Sequence, residues 1–314
     1  MKILLTGATG FIGKKLIQEL LNKDFELSSI LRNKTDDFPN DIQQFVIGDF
    51  AKHADYSNAL TDIDCVIHLA GKAHMIDKNK ASVLDEFRLV NTNFTLSLAR
   101  QASAAGVNRF IFLSSIGVNG NQNTKPFLES DTPNPQEPYA ISKYEAEQGL
   151  FKLSKETDIE VVIIRPPLVY GINAPGNFSR LMNWVSKKHP IPLPLGLVSN
   201  SRSLVAIGNL VDFIVTCATH KNAANELFLV SDREDLSTTQ LLRKIAKFFN
   251  KKIFLPPVPV QLMIFMAGLL GRKADAIRLF SSLRVDSSKA KELLDWDPKI
   301  TMDEQLSKIV KAQK

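Results

Sequence analysis

The chain has 314 residues, 44% hydrophobic and 23% charged, a globular profile with core enough for one large α/β domain or two smaller units. Its formal charge of +6 is spread without a block of about five or six Lys/Arg, so nucleic acid is not indicated as a partner. Cys65 and Cys217 sit in apolar runs without metal-ligand spacing, which excludes a disulfide framework and reads as buried thiols in a reducing compartment.

The first apolar run is too short for a signal peptide and passes at once into a glycine turn, so the protein reads as cytoplasmic. Ile3–Leu5 predicts a strand and Phe11–Leu21 a helix. Glu26–Leu31, Gln44–Ile47 and Cys65–Leu69 predict further strands, followed by one long helix over Val83–Ala105 and a strand at Arg109–Leu113. Tyr139–Thr157 is the next helix and Glu160–Ile164 the next strand. Strands this apolar, separated by amphipathic helices, predict a parallel sheet covered on both faces. Right-handed crossovers make it a doubly wound, Rossmann-like α/β sheet.

From Pro166 to Gly196 prolines and glycines break the alternation. The boundary of a smaller, interleaved C-terminal region is therefore expected near Tyr170. It divides residues 1–170, which the glycine turn after the first strand makes the dinucleotide-binding part, from 171–314, the expected substrate-binding region. Val205–Ala218 and Glu226–Val230 are expected to return to the main sheet. The most apolar later stretch, Val258–Leu270, is well short of the ~20 residues needed to span a bilayer. It reads as a buried or interface helix in preference to a membrane-surface one.

Thr6-Gly7-Ala8-Thr9-Gly10-Phe11-Ile12-Gly13 joins the first strand to the first helix. Glycines there permit a tight turn and let backbone approach a pyrophosphate at the helix N-terminus. The tip of the second strand normally reads the adenosine ribose, with an acid for NAD or an Arg for the 2′-phosphate of NADP. Here it ends Leu31-Arg32-Asn33-Lys34, and the nearest acids, Asp36 and Asp37, lie beyond. Arg32 favours NADP(H), with NAD(H) the alternative. Asp49, in Gly48-Asp49-Phe50, is placed to meet the adenine edge, with helix capping as its competing role.

Ser114-Ser115 closes the strand RFIFLSS at the edge where ligands of such folds bind. Tyr139-Ala140-Ile141-Ser142-Lys143 opens a helix, and residues four apart share its face. A phenol with a pKa near ~10 needs a nearby cation to serve as a base at neutral pH. Lys143 supplies one. The Ser hydroxyl can hold a substrate oxygen for proton transfer while hydride passes at the nicotinamide. His189 and His220 have no partner pattern and read as structural, and no metal site is suggested.

In this order TGATGFIG, HLAG (His68–Gly71), Asn91-Thr92-Asn93, LSSIGVNG (Leu113–Gly120), YAISK, RPPLVYG (Arg165–Gly171) and VDSSKAKELLDWDP (Val285–Pro298) resemble the extended short-chain dehydrogenase/reductase family. The likeness is to its nucleotide-sugar epimerase, dehydratase and reductase branch, and it covers essentially the whole chain. The resemblance implies catalytic Ser115, Tyr139 and Lys143, with Ser114 a structural neighbour. It implies cofactor contacts at Gly7, Thr9, Gly10, Phe11, Ile12, Gly13, Arg32, Asp49 and Phe50. Leu69, Ala70, Gly71, Asn91 and Pro166 complete that set, together with Tyr139 and Lys143. Asn91 matches the residue that orders the long helix and a proton-relay water, and Phe94 departs from the Gly common there. Asn177 resembles the Asn near a sugar diphosphate. Arg202 resembles the Arg that grips it, a task that suits a guanidinium fork. A homodimer through the helices of 83–105 and 139–157 is also implied.

Sugar dehydratases of this branch carry Asp-Glu directly after the catalytic hydroxyl residue, since loss of water needs an acid and a base. Ile116-Gly117 stand there and cannot transfer protons. The expectation is reduction of a UDP-4-keto-6-deoxy-N-acetylhexosamine for surface polysaccharide synthesis. Its rival is a UDP-glucose or UDP-N-acetylglucosamine 4-epimerase. A non-catalytic NADPH sensor has no need of Ser115, Tyr139 and Lys143 together. A reductase of hydrophobic alcohols or steroids is disfavoured by Arg202 and Asn177.

Overall fold

A computed structural model of the chain describes residues 1–50, 55–73, 80–188 and 191–312. Strand β1 (Lys2–Thr6) leads into α1 (Phe11–Leu21), then β2 (Glu26–Leu31), β3 (Gln43–Val46), the single turn α2 (Ser57–Leu60) and β4 (Cys65–His68). Helix α3 (Lys80–Phe87), a π-helical stretch Arg88–Phe94 and α4 (Thr95–Ala104) precede β5 (Arg109–Leu113), α5 (Pro138–Glu156) and β6 (Glu160–Arg165). Next come β7 (Leu168–Tyr170), α6 (Asn177–Ser186), β8 (Leu204–Ala206), α7 (Ile207–Thr219) and β9 (Leu227–Leu229). Helices α8 (Thr238–Phe248), α9 (Val260–Leu269), α10 (Lys273–Phe280), α11 (Ser288–Leu294) and α12 (Met302–Ala312) complete the chain.

Seven strands lie in the order β3-β2-β1-β4-β5-β6-β9, every neighbouring pair parallel. Winding runs outward in one direction from β1 and in the other from β4. The crevice between their carboxyl ends is the place where such sheets bind ligands. One face is covered by α1 and α7, with Leu16, Ile17, Phe213 and Trp296 in its core. The other is covered by α4 and α5, with Phe94, Leu98, Ala146 and Leu150. Burial on both faces is why β1, β4, β5 and β6 read as unbroken apolar runs. Cys65 and Cys217 are buried free thiols. Burial pushes the Cys65 thiol up to about 12.

Three expectations need correction. The stretch over Val83–Ala105 is not one α-helix, since Arg88–Phe94 is π-helical. The wider turn lets two consecutive side chains reach α5, where Asn91 Nδ2 donates to Ser142 Oγ at 3.0 Å and Thr92 Oγ1 to the Ser142 carbonyl at 2.8 Å. Of the segments expected back in the main sheet, only β9 joins it, against β6. Strand β8 pairs with β7 in a separate two-stranded sheet, because both pack on a third core of Tyr170, Phe178, Met182, Leu242 and Leu306. The buried reading of Val258–Leu270 is overturned, since no residue of α9 is buried. Only its inner face, Val260 and Met263, meets that third core.

Helix α5 is fixed to the sheet by an ion pair that excludes water from both partners, the side chains being 3% and 2% exposed. Arg165 donates to both Glu147 oxygens at 2.9 and 2.5 Å, and through Nη1 to Asn119 Oδ1 at 2.8 Å. Breaking a buried pair strands a charge, whereas replacing both partners by apolar groups is often neutral. Glu147→Ala is therefore expected to lose about 3–5 kcal/mol in urea unfolding, and Glu147→Met with Arg165→Met to regain most of it. A single-variant loss under about 1 kcal/mol would contradict the assignment.

Candidate active site

The glycine turn sits on one side of the crevice. Gly7 has φ +71°, and a Cβ there would lie 2.6 Å from the Ala70 nitrogen. A Cβ on Gly13 would lie 2.3 Å from the Gly7 carbonyl oxygen. Only glycine at these two places lets α1 pack so closely on the turn and on the loop after β4. The N-cap of α1, Gly10, brings no side-chain cap, so the helix's first amides keep their capacity for an anion. A dinucleotide's pyrophosphate fits this cradle.

The loop Leu69–Gly71 is held by a directed hydrogen-bond chain. Ala70 N donates to Thr6 Oγ1 (3.2 Å), which contacts His68 Nδ1 (2.7 Å). His68 Nε2 contacts Thr95 Oγ1 (2.8 Å), whose hydroxyl donates to the Asn91 carbonyl (2.8 Å). Since the Thr95 proton is committed to Asn91, His68 donates from Nε2 and accepts at Nδ1. Burial, assisted by the Lys143 charge, holds His68 well below the usual histidine range and keeps it neutral. The chain sets the Asn91 backbone, and the Asn91 amide clasps Lys72 N and O at 2.8 and 3.1 Å.

On the other side stands α5. Tyr139, Lys143 and Glu147 are four residues apart on one stripe. Lys143 Nζ donates to the Leu113 carbonyl at 3.0 Å and lies 4.4 Å over the Phe112 ring. A Cβ on Gly71 would lie 3.2 Å from both Asn91 Oδ1 and Lys143 Nζ. The missing side chain thus leaves room beside the buried ammonium on the crevice side. Ser115 Oγ accepts from Gly117 N at 3.1 Å. A Cβ on Gly117 would lie 3.3 Å from Ala140 Cβ and 3.4 Å from Ser115 Oγ, so the serine turn abuts the first turn of α5. Among the described residues Ser114 Oγ is buried without a hydrogen-bond partner. Burial raises the Tyr139 phenol to about 12. Burial also lowers the Lys143 ammonium to about 7, against the opposing pull of Glu147.

The remaining expected residues sit further out. Arg32 is exposed just past β2, and Asp37 beyond it pairs with Lys14 at 3.1 Å. Asp49 is exposed after β3, while the Phe50 ring stacks on Phe94 at 4.5 Å. Pro166 is buried after β6 and accepts from Ile116 N at 3.0 Å. Asn177 is exposed as the first residue of α6. Two nitrogens of Arg202 already donate, Nε to the Ser281 carbonyl (3.2 Å) and Nη2 to the Arg278 carbonyl (2.6 Å). Arg202 therefore offers a partly used fork. His220 Nδ1 accepts from Asn222 N at 3.2 Å, a structural cap, and His189 lies outside the described residues. Among the described residues no His/Cys/Asp/Glu cluster could hold a metal ion. Thr6, Thr95, Ser142 and Asn119 shape the site with no spacing to mark them in the sequence, and Glu147, also missed, is marked only by standing four residues beyond Lys143.

A parallel sheet with its glycine cradle at the switch point, facing a Tyr and a Lys one turn apart, defines an enzyme of the extended short-chain dehydrogenase/reductase type. Residues 3–230 match the model of the NAD dependent epimerase/dehydratase family, and the chain belongs to that family. It is 42% identical over 314 residues to a UDP-glucose 4-epimerase of Vibrio cholerae, covering 99% of this chain and 94% of that one. It is 28% identical to the N-acetyl-alpha-D-glucosaminyl-diphospho-ditrans,octacis-undecaprenol 4-epimerase of Escherichia coli O157:H7, covering 86% and 77%. The fold matches the Bacillus cereus UDP-glucuronic acid 4-epimerase solved with NAD, at TM-score 0.79 and 24% identity over 99% and 96% of the two chains.

The Lys143 value sets a pH signature for stability. Folding depresses it from 10.5 to about 7, so the cost of burying the ammonium is whole below pH 7. That cost fades as pH rises from about 7 towards 10.5, where the unfolded chain still binds the proton. Lys143→Met should be stabilised relative to wild type by denaturant unfolding at about pH 6, and the gain should shrink by about pH 9. A gain that is flat or grows with pH would contradict the buried, depressed ammonium.

Proposed function

We propose that the protein is an NADPH-dependent reductase acting at C4 of a UDP-4-keto-6-deoxy-N-acetylhexosamine. The observation that carries this reading is Arg32, exposed at the carboxyl end of β2 with no acid at the strand tip, while Asp37 further on is paired with Lys14. A guanidinium there suits a 2′-phosphate and ill suits the ribose diol that an acid would accept from. The turn Gly7, Thr9, Gly10, Phe11, Ile12 and Gly13 would hold the pyrophosphate. Asp49 and Phe50 would flank the adenine, and Leu69, Ala70, Gly71, Asn91 and Pro166 would line the rest. The nicotinamide, when bound, supplies or accepts the hydride.

The protein's own residues handle the proton. Ser115 Oγ would hold the C4 oxygen by hydrogen bonding. Tyr139, kept protonated by its raised pKa, would donate to that oxygen as it gains charge. Lys143 would orient at the Asn91–Gly71 opening and stabilise the phenolate left behind. Ile116 and Gly117 offer no proton to a neighbouring carbon, so reduction ends at the alcohol. Asn177 and the unused part of the Arg202 fork would meet the diphosphate. A homodimer through the faces of residues 83–105 and 139–157 goes with this reading.

The second reading is a 4-epimerase of UDP-hexoses, favoured by the 42% identical Vibrio cholerae relative. It uses the same residues in both proton directions and keeps one NAD. Purified protein separates the two. A reductase binds NADPH more tightly than NADH, carries no tightly held NAD, and oxidises NADPH one for one with the keto sugar. UDP-hexose interconversion without added cofactor, with the keto sugar ignored, would overturn the first reading. Arg32→Asp should invert the cofactor preference by turning attraction into repulsion. Tyr139→Phe should lose about 10²–10⁴-fold in turnover with cofactor affinity little changed, and near-normal turnover would remove Tyr139 from the chemistry.

A further inference from the structure

Helix α9 is apolar on every side. Its inner residues Val260 and Met263 pack on the third core. Its outward stripe is Leu262, Phe265, Met266 and Leu269 at helical spacing, with Phe265 63% and Leu269 74% exposed. A helix facing water carries polar side chains on that stripe, and α9 has only Gln261. Leu270, which follows the helix directly, and Phe254 and Leu279 on the flanking segments are also exposed. An exposed apolar surface of this kind marks a docking site.

The charge around it selects the occupant. Between Asn250 and Phe280 the basic residues are Lys251, Lys252, Arg272, Lys273 and Arg278 against the single acid Asp275. Arg272 pairs with Asp275, Arg278 with Glu137, and Lys251 donates to the Val185 and Lys187 carbonyls, so Lys252 and Lys273 are the exposed cations left to meet a ligand. Arg272 and Lys273 follow directly on Leu269, Leu270 and Gly271, where their long stems can lie along apolar surface with the charge outward. A second copy of the chain would set the same excess of cations against itself. Exposed apolar residues flanked by more cations than acids, with Lys252 and Lys273 left unpaired among the described residues, match a surface of acyl chains beneath anionic headgroups. At ten residues α9 is about 15 Å long, half a bilayer's hydrocarbon thickness, so it can lie in the interface and cannot cross.

We propose that the α9–α10 hairpin docks this protein peripherally on an anionic lipid bilayer. The hairpin also borders the site, because the Arg278 carbonyl accepts from Arg202 and its guanidinium pairs with Glu137, two residues before Tyr139. Docking therefore turns the Arg202 side of the crevice towards the headgroups. The inference stands whichever C4 reaction the site performs.

Flotation of the full-length protein with vesicles tests it. Vesicles of phosphatidylcholine containing phosphatidylglycerol should carry the protein up the gradient, pure phosphatidylcholine much less, and high salt should weaken the binding. Phe265→Glu with Leu269→Glu should abolish flotation, with circular dichroism and turnover on a soluble UDP-sugar unchanged. Lys273→Gln should weaken it about fivefold. Two results overturn the proposal. One is flotation that is absent in wild type or survives the double glutamate change. The other is a light-scattering mass for wild type twice that of the double variant, which would assign the surface to a second copy of the chain.

Discussion

The ion pair between Arg165 and Glu147 fixes helix α5 to strand β6 where water does not reach, and the geometry of the candidate site follows from it. Glu147 is one turn beyond Lys143 and two beyond Tyr139, so holding its carboxylate sets both the rotation and the height of the helix. The third arm of Arg165 ends on Asn119, in the turn that begins with Ser115. One guanidinium thereby positions all three groups offered for chemistry. A planar fork with fixed donor directions can do this, and an ammonium cannot.

Charge in the crevice is managed by burial. Lys143 has a backbone carbonyl and an aromatic face for company, with its nearest carboxylate, Glu147, already engaged by Arg165. The ammonium is therefore destabilised and ready to be improved by any anionic or hydroxyl-bearing ligand that enters. His68, under the same pressure, has shed its charge and acts as a neutral link between two threonines. Neutrality there is useful, because a second cation beside Lys143 would depress it further.

Much of the frame was legible in the sequence. The glycine turn, the apolar strands and the Tyr-Lys pair each follow from short-range geometry, and their order along the chain together with the family resemblance assigned them to one crevice. What stayed hidden depends on contacts distant in sequence. The π-helical turn at Arg88–Phe94 exists because Asn91 and Thr92 both bond Ser142, some fifty positions away. Strand β8 leaves the main sheet because its apolar face finds a better core beside β7. The half-committed fork of Arg202 depends on carbonyls of residues 278 and 281. The Val258–Leu270 stretch has a composition that fits a core helix and a membrane-surface helix alike, and only the fold shows its outer stripe bare.

The central claim is that hydride moves to C4 of a sugar whose oxygen lies between Ser115 and Tyr139. NADPH carrying deuterium at nicotinamide C4 on the transferable face tests this directly, with the product read by mass spectrometry and proton NMR. The account predicts a UDP-sugar one mass unit heavier, with the C4 proton signal lost and the neighbouring couplings simplified. Unlabelled product, or deuterium at C3, C5 or C6, would contradict it.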